Sequence, residues 1–270
     1  MKFLSNLNKK ELIGKKVLLR VDFNIPLRQG KIRETLRIDE SIPTLKFLLK
    51  NGARVIIVSH LGSDGQASLT PVAKYLVTKK LPVKLVKDLT AVKKSTNPLI
   101  LLENIRRFSG ELENSPVLAK RLASLADLFI NDAFSVSHRV QASVVGVAKF
   151  LPAYAGLALE RELKHLAILS KPINPLVLII GGVKFSTKLP LLRKFLPKAE
   201  FICVGGALAN TLLSARGIAV GASLTEKLTP SLIKLAKSPK IILPIDVIVQ
   251  VGRKTELKNI NYLGAEDKIV

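Results

Sequence analysis

Short apolar runs alternate along this chain with segments of helical periodicity, and this alternation constrains the fold more than any other feature. The runs are rich in β-branched residues, which is typical of buried strands. We predict strands at 17–21, 54–59, 98–102, 128–130, 176–180 and 201–204, with a strand-rich stretch at 241–251. We predict helices at 37–50, 71–77, 116–125, 155–170, 185–195 and 208–216. This pattern predicts an α/β fold with parallel sheets covered by helices on both faces.

The pattern divides into two cycles, and 270 residues are enough for one large domain or two medium ones. A second run of strands and helices begins after Phe150-Leu151-Pro152. We therefore predict an N-terminal domain at 1–154, a connecting helix or hinge at 155–172, and a second domain at 173–270.

The single cysteine, Cys203, excludes an internal disulfide and a zinc site built from cysteines. Residues 1–14 have no apolar core of the kind a signal peptide needs, and no apolar run approaches the roughly 18 residues of a membrane-spanning helix. These features favour a reducing, cytoplasmic setting without a membrane partner.

The net charge of +23, from 43 basic and 20 acidic residues, favours anionic partners. Phosphorylated metabolites, nucleotides, nucleic acid and acidic lipids are all candidates. Aromatic residues make up only 5% of the chain and tryptophan is absent, so platforms for base stacking are scarce. Nucleic-acid binding is therefore expected to be non-specific if it occurs, and a solvated lysine-rich surface is the alternative explanation of the charge.

The stretch 17–26 combines a buried strand with polar residues at its end. Asp22 and Asn24 follow the strand two residues apart, so they share one side of an extended segment. Arg37 opens the next helix, which allows a carboxylate, an amide and a guanidinium to face one cleft. In the alternative interpretation, Asp22 pairs with Arg20 or Arg37 and Asn24 only shapes a turn.

Polar residues follow several of the other predicted strands. They are His60, Arg106, Asp132, His138 and Arg139. Cations gathered at the carboxyl edge of a parallel sheet predict a cradle for a phosphate or carboxylate group. The alternatives are that each arginine is a surface residue and that His60 is a buried histidine with its hydrogen bonds satisfied.

The second half contains two glycine pairs that each follow a predicted strand and precede a predicted helix. Gly181-Gly182 is followed by Lys184 and Lys188, which are four residues apart and can share a helix face. Paired glycines allow a phosphate to approach the backbone closely, and a helix N-terminus attracts anions. Gly205-Gly206 repeats the arrangement more weakly. In the alternative explanation, each glycine pair only forms a tight turn.

Other common motifs are absent from the sequence. There is no GxxxxGK[ST], GxGxxG after a strand, HExxH, cysteine–histidine cluster or GxSxG. This excludes the usual Walker, dinucleotide, zinc protease and serine hydrolase interpretations.

Taken together, eight segments resemble the phosphoglycerate kinase family. They are VLLRVDFNIPL with Arg37, VIIVSHLG, LILLENIRRF, LASLADLFINDAF followed by SHR, VGVAKFLPAYAGLALERELKHL, IIGGVKFSTK, VGGALANTLL and IILPIDVIV. They occur in the family's order and cover nearly the whole chain. The resemblance implies a glycolytic, ATP-dependent transferase with two lobes that close around a hinge. It also implies 3-phosphoglycerate or 1,3-bisphosphoglycerate in the first lobe, Mg-ATP or Mg-ADP in the second, and a monomer at full length.

The resemblance also implies roles for residues that match the family's motifs. Substrate-binding roles fall on Asp22, Asn24, Arg37, His60, Leu61, Gly62, Arg106 and Arg139. Catalytic roles fall on Arg37 and Lys184, and nucleotide-binding roles on Gly181, Gly182, Lys188, Gly205 and Gly206. No metal ligand is expected in this chain, because the family's metal-associated aspartate lies in a segment that finds no match here.

Several positions depart from the family's pattern. Ser63 stands in place of a usual arginine, Ser135-Val136-Ser137 in place of Gly-Thr-Ala, Gln141 in place of a histidine, Val183 in place of an alanine, and Ala207 in place of a glycine. The lost arginine is expected to weaken phosphate binding by roughly 1.5–3 kcal/mol, the contribution of one charge-assisted hydrogen bond.

The family's pattern also continues beyond Val270, so the second lobe is expected to be incomplete and this chain alone inactive or nearly so. The chain is then a fragment, the product of a truncated gene, or a reduced protein with a new role. The alternative to kinase activity is a non-catalytic protein that binds anions or nucleic acid.

Overall fold

The computed structural model describes residues 1–170, 172–252 and 254–270. The chain divides into two compact units, Met1–Ala167 and Ile168–Val270. The helix predicted to connect them belongs largely to the first unit, where it spans Leu157–Ala167. Lys171, which falls in the predicted connecting segment, lies outside the described residues.

The first unit is built on a parallel sheet. Its strands and those of a small hairpin are β1 (Lys16–Arg20), β2 (Leu27–Arg28), β3 (Lys31–Ile32), β4 (Arg54–Val58), β5 (Lys84–Val86), β6 (Leu99–Leu102), β7 (Leu128–Asn131) and β8 (Ala153–Ala155). The order across the sheet is β5-β6-β4-β1-β7-β8, and β2 pairs with β3 in the hairpin. Because β1 lies between β4 and β7, residues that follow these three strands come close together at one edge.

Helices cover both faces of this sheet, as predicted. They are α1 (Lys9–Leu12), α2 (Leu36–Lys50), α3 (Thr70–Thr78), α4 (Leu89–Lys94), α5 (Pro116–Ala123) and α6 (Leu157–Ala167). Alternate residues of each strand pack into separate cores on the two faces, with Leu19 and Ile57 in one and Leu18 and Ile56 in the other. This two-sided burial explains why the strands are apolar throughout.

The second unit contains a smaller parallel sheet and an antiparallel one. Its strands are β9 (Val177–Ile180), β10 (Phe201–Val204), β11 (Ile241–Ile242), β12 (Asp246–Val251), β13 (Lys254–Asn259) and β14 (Lys268–Ile269), and its helices are α7 (Phe185–Phe195), α8 (Gly206–Ala215) and α9 (Pro230–Ala236). The sheets have the orders β11-β10-β9 and β13-β12-β14. A core of residues from α7, α8, α9 and the parallel sheet holds this unit together.

Two predicted elements differ in detail from the structure. The helix predicted at 155–170 begins only at Leu157, because Ala155 pairs with Asn131 in the sheet. The predicted strand-rich stretch at 241–251 is split at Leu243–Ile245, and its second part, β12, is antiparallel to its neighbours. Pro244 lies in this break and cannot donate a backbone hydrogen bond to a neighbouring strand.

Candidate functional site

Polar residues of the first unit gather where its strands end, as the sequence predicts. Asp22 follows β1, His60 follows β4, Arg106 lies in a 3-10 turn just after β6, and Arg139 follows β7. These strands are neighbours and all run the same way. The carboxyl edge of the sheet therefore carries what we call the carboxyl-edge cluster: Arg20, Asp22, Arg37, His60, Arg106 and Arg139.

Asp22 organises one side of this cluster. Its Oδ2 accepts a hydrogen bond from Arg37 Nη1 at 2.5 Å and another from the Ser135 hydroxyl. Its Oδ1 accepts the backbone N–H of Asn24 at 3.0 Å, and the Asn24 side-chain oxygen accepts the N–H of Gly62 at 2.9 Å. Asp22 thus forms the ion pair with Arg37 that one interpretation predicted. The Arg37 side chain remains 46% exposed and open to a ligand.

His60 is buried beside two charged groups. Its Nδ1 lies 3.3 Å from Arg20 Nη2 and 4.0 Å from Asp22 Oδ1. A guanidinium can only donate, so Nδ1 accepts and the ring proton resides on Nε2. Burial lowers the pKa of His60 to about 3, and the Arg20 and Arg106 charges add to the effect. His60 is therefore a neutral donor, and its buried Nε2 finds no hydrogen-bond partner among the described residues.

Arg20 supports the cluster from inside the protein. Its Nε donates to the Ser143 hydroxyl at 3.0 Å, and that hydroxyl donates to Glu111 Oε1 at 2.6 Å. Burial lowers the pKa of the Arg20 guanidinium to about 10, while the Glu111 and Asp22 charges oppose the change. The strand-end pattern did not predict Glu111 or Ser143. The available signal was Arg20 itself, a charged residue at the end of a strand that is otherwise buried and apolar from Val17 to Leu19.

Arg106 and Arg139 supply the remaining positive charge. The Arg106 guanidinium donates to the carbonyl of Gly62. Burial lowers the pKa of Arg106, and the nearby Arg139 charge lowers it further. In the part of the chain that the structure describes, Arg139 forms no ion pair. An anion bound at this edge would relieve the repulsion between the two guanidinium groups.

Other strand-end residues have structural positions. Asp132 accepts the backbone N–H groups of Ala158 and Leu159 at 2.8 and 3.1 Å, so it caps α6. Burial raises the pKa of Asp132 to about 6. The Leu61 side chain packs in a core of the first unit, so only the backbone of Leu61 could contact a ligand. His138 and Ser63 are exposed.

A cleft of about 190 Å³ lies beside the Asp22–Arg37 pair. Ser135 and Phe134 line it, together with the start of α6 at Ala158. Ser135, one of the departures from the family's pattern, thus contacts Asp22 at the edge of an open space. Arg37 also lines the cleft, but so do the carboxylates of Asp22, Glu40, Asp132 and Glu162, so the cleft by itself is not an anion site.

In the second unit the two glycine pairs also come together. They follow β9 and β10, which are neighbours in the sheet. A Cβ added at Gly206 would lie 3.5 Å from the Gly182 backbone, and Gly206 has a φ of +63°, which favours glycine. A Cβ added at Gly182 would lie 3.5 Å from Cε of Lys188. Gly181 and Gly205 are adjacent as well, so the predicted phosphate-binding glycines and one lysine share one site.

Glu226 and Lys184 flank this glycine site at the N-terminus of α7. Lys184 is the exposed N-cap residue of the helix. The Glu226 carboxylate accepts the backbone N–H of Ser186 at 3.1 Å, where the helix dipole favours a negative group. Glu226 lies between α8 and α9 in a segment without regular structure, and no sequence signal predicted it.

Neither a metal cluster nor a membrane helix is found in the described ranges. No group of three or more histidine, cysteine or acidic residues there is arranged to hold a metal ion. The helices within those ranges are too short or too polar to cross a bilayer.

The buried, neutral His60 should make the first unit less stable in acid. Because the pKa of His60 is lowered on folding, the unfolded chain binds the extra proton first as pH falls below about 6.5. We expect His60 to reduce the free energy of unfolding by about 2 kcal/mol between pH 7 and pH 5. Urea unfolding followed by circular dichroism at both pH values measures this loss.

His60→Asn is the matched variant, since the asparagine oxygen can still accept from Arg20. Asp132 and Glu111, whose pKa values are raised by burial, act in the opposite direction and remain in both proteins. If the variant loses as much stability in acid as the original chain, His60 is not the group responsible.

The fold is that of an α/β protein that gathers basic side chains at strand ends in its first unit and glycine pairs at strand ends in its second. The family model for phosphoglycerate kinase matches residues 7–270. The chain belongs to the phosphoglycerate kinase family.

Individual proteins that are similar to this chain are also phosphoglycerate kinases. The phosphoglycerate kinase of Francisella tularensis subsp. holarctica (strain FTNF002-00 / FTA) is 40% identical over 291 residues, which cover 100% of this chain and 74% of that protein. The solved phosphoglycerate kinase of Coxiella burnetii is 39% identical with a TM-score of 0.80, covering 98% of this chain and 72% of that one. The phosphoglycerate kinase from Pyrococcus horikoshii OT3 has a TM-score of 0.84 at 24% identity, covering 100% of this chain and 74% of that one, and supports the fold alone.

Proposed function

We propose that this chain carries the substrate and nucleotide sites for glycolytic phosphoryl transfer between 1,3-bisphosphoglycerate with ADP and 3-phosphoglycerate with ATP. The observation that carries the proposal is the carboxyl-edge cluster, in which Arg37, His60, Arg106 and Arg139 converge on one edge of a parallel sheet. Family membership of the chain and the names of its relatives support the same reaction.

On the substrate side, Arg106 and Arg139 are suited to the phosphate of 3-phosphoglycerate. Arg139 has no ion-pair partner among the described residues, and its charge already destabilises that of Arg106. Asn24, through its bond to Gly62, and Arg106, through its bond to the Gly62 carbonyl, hold the loop after β4 in place. His60 offers its Nε2 proton to a ligand oxygen. Asp22 positions Arg37.

On the nucleotide side, we assign the phosphates of ATP or ADP to the glycine site of the second unit. Gly182 and Gly206 keep the backbone free of side chains, and Lys188 lies beside Gly182. A bare backbone next to a cation is an established way to hold phosphate oxygens. Magnesium would arrive with the nucleotide, as part of the substrate.

The reaction itself requires little from the protein beyond placement and charge. A carboxylate oxygen of 3-phosphoglycerate attacks the γ-phosphorus of ATP, and the bond from that phosphorus to the β–γ bridging oxygen breaks, which releases ADP. Catalysis then depends on in-line positioning and on cations that stabilise the transferring group. We assign this stabilisation to Arg37 and Lys184, whose side chains are solvent-exposed.

We also propose that the 270-residue polypeptide by itself binds 3-phosphoglycerate but catalyses phosphoryl transfer slowly or not at all. Glu226 supports this, because its carboxylate holds the N–H of Ser186 at the helix end that would otherwise attract a phosphate. A nucleotide phosphate would meet a negative charge at this position.

The test uses the purified 270-residue chain in two measurements. Calorimetry should detect 3-phosphoglycerate binding, and a coupled assay with ATP and 3-phosphoglycerate should show little or no turnover. Turnover at the rate of a full-length relative would overturn the second proposal. Absence of both binding and turnover would overturn the assignment of the substrate site.

Replacing Glu226 with glutamine should strengthen binding of ADP by this chain. The substitution keeps an oxygen that can accept from Ser186 and removes the charge that repels phosphate. We expect the dissociation constant to fall about fivefold, the effect of roughly 1 kcal/mol at a partly exposed helix end. Calorimetry with ADP measures it, and Glu256→Gln, on an exposed strand, is the control. Equal affinity of Glu226→Gln and the original chain would show that Glu226 does not compete with the nucleotide.

A further inference from the structure

A second cation-lined cavity opens at the amino edge of the first sheet, opposite the carboxyl-edge cluster. It has a volume of about 250 Å³. Lys16 and Arg54, which line it, are the first residues of β1 and β4 and are partners in the strand register. The carboxyl-edge cluster begins where the same strands end, about 13 Å away across the four steps of a five-residue strand. The two sites share no residue.

The cavity has buried apolar residues at its base and a cationic rim, and most of its accessible surface is polar. The buried residues on its floor are Ile56, Val92, Ile100 and Leu125, with Val55 beside them. Lys16, Arg54, Lys93 and Ser124 complete the lining, and both lysines are exposed. Strands β1, β4 and β6, helix α4 and the end of α5 contribute these residues, so folding of the whole unit is needed to assemble the cavity.

The three cations lack ion-pair partners among the described residues. The Arg54 side chain is anchored by one hydrogen bond, from Nη2 to the carbonyl of Ser95 at 2.7 Å, and its buried Nε has no partner in those residues. The Asp127 carboxylate accepts the backbone N–H of Lys16 at 2.8 Å and forms no ion pair with the three cations. With three cations and this one carboxylate, the rim keeps a net positive charge.

Ordinary surface or helix-end effects do not account for this arrangement. Lys93 lies in the last turn of α4, where a cation favours the helix dipole, but its neighbour Lys94 does the same without lining the cavity. Lys16 and Arg54 lie on strands and have no such role. Three cations that line one concave space are suited to a negatively charged ligand.

We propose that this amino-edge cavity binds a small phosphate monoester whose organic part is apolar. A phosphate dianion matches the cationic rim better than a single carboxylate does. The smaller, apolar part of the lining favours a compact apolar group on the same molecule, because a free inorganic ion would leave that part exposed to water. The volume suits a ligand smaller than the drug-sized molecules held by pockets of roughly 300–1,000 Å³. The proposal does not depend on the kinase function.

Phenyl phosphate is the probe, and the methyl NMR signals of Ile56 and Ile100 in the 270-residue chain report its position. These signals should shift with saturation as phenyl phosphate is added. In Lys93→Gln and Arg54→Gln the dissociation constant should rise about tenfold, as expected for loss of one charge-assisted hydrogen bond. Inorganic phosphate should bind more weakly than phenyl phosphate, and phenol should not bind.

Lys94→Gln is the matched control for charge, because Lys94 is adjacent to Lys93 and lies outside the cavity lining. Arg139→Gln is the control for the carboxyl-edge cluster. In both variants the dissociation constant read from the Ile56 and Ile100 methyl signals should equal that of the original chain. Unshifted Ile56 and Ile100 methyls, equal losses in Lys93→Gln and Lys94→Gln, or equal affinity for inorganic phosphate and phenyl phosphate would each overturn the proposal. Lys93 is exposed, so its variant tests the site even if Arg54→Gln fails to fold.

Discussion

Replacing Arg139 with glutamine should weaken binding of 3-phosphoglycerate by about tenfold to a hundredfold. The estimate corresponds to one charge-assisted hydrogen bond, roughly 1.5–3 kcal/mol. Arg139 is the cleanest choice in the carboxyl-edge cluster, because it forms no ion pair among the described residues and its removal leaves no buried carboxylate unpaired. Calorimetry with the 270-residue chain measures the dissociation constant directly.

Arg28→Gln is the control for this experiment. Arg28 is an exposed arginine of the hairpin strand β2, so its loss lowers the net charge by the same amount. Circular dichroism should show that both variants keep the fold. If the two variants lose affinity equally, binding follows the overall charge of +23 and not the cluster. If Arg139→Gln binds as tightly as the original chain, Arg139 is not a ligand contact.

Replacing Gly221 with alanine should destabilise the second unit by about 3–5 kcal/mol, because it combines steric overlap with a strained backbone. An added Cβ would lie 2.3 Å from the carbonyl oxygen of Asp267 and 2.5 Å from that of Gly264. Both contacts are backbone atoms, which cannot move aside cheaply. Gly221 also has a φ of +55°, a region that disfavours other residues.

Cys203 makes this loss measurable, since it is the single cysteine of the chain and lies in β10 of the second unit. The urea concentration at which its thiol becomes fully reactive reports unfolding of that unit. Gly217→Ala is the matched control, because Gly217 has a φ of +82° and no atom within 4 Å of the added Cβ. It should cost only about 1 kcal/mol. Equal costs for the two variants would mean that residues 264–267 do not pack against Gly221.

The carboxyl-edge cluster could be predicted from the sequence because parallel strands place their ends together. Asp22, His60, Arg106 and Arg139 each follow an apolar run, and the structure brings all four to one edge. In the second unit the sequence marked Gly181-Gly182 and Gly205-Gly206 separately, and the structure brings them together because β9 and β10 are neighbours. In the first unit, the strand ends that the apolar pattern marks are the ones that the sheet topology places side by side.

Contacts between distant segments could not be predicted in this way. The bond from Ser143 to Glu111 joins residues 32 apart, and neither of them follows a strand. Glu226 reaches Ser186 from an irregular segment 40 residues away. The Asp132 carboxylate lines the cleft beside Asp22 and Arg37, but it also caps α6 because that helix begins beside the end of β7. Side-chain partners of this kind depend on how the elements pack, which periodicity does not encode.

An NMR titration of the 270-residue chain with 3-phosphoglycerate tests most directly whether the carboxyl-edge cluster is the substrate site. We predict saturable shifts at the backbone amides of Asn24, Gly62, Arg106 and Ser135, with the second unit unaffected. Shifts confined to the second unit, or none at millimolar ligand, would contradict the assignment of the substrate site to the carboxyl-edge cluster.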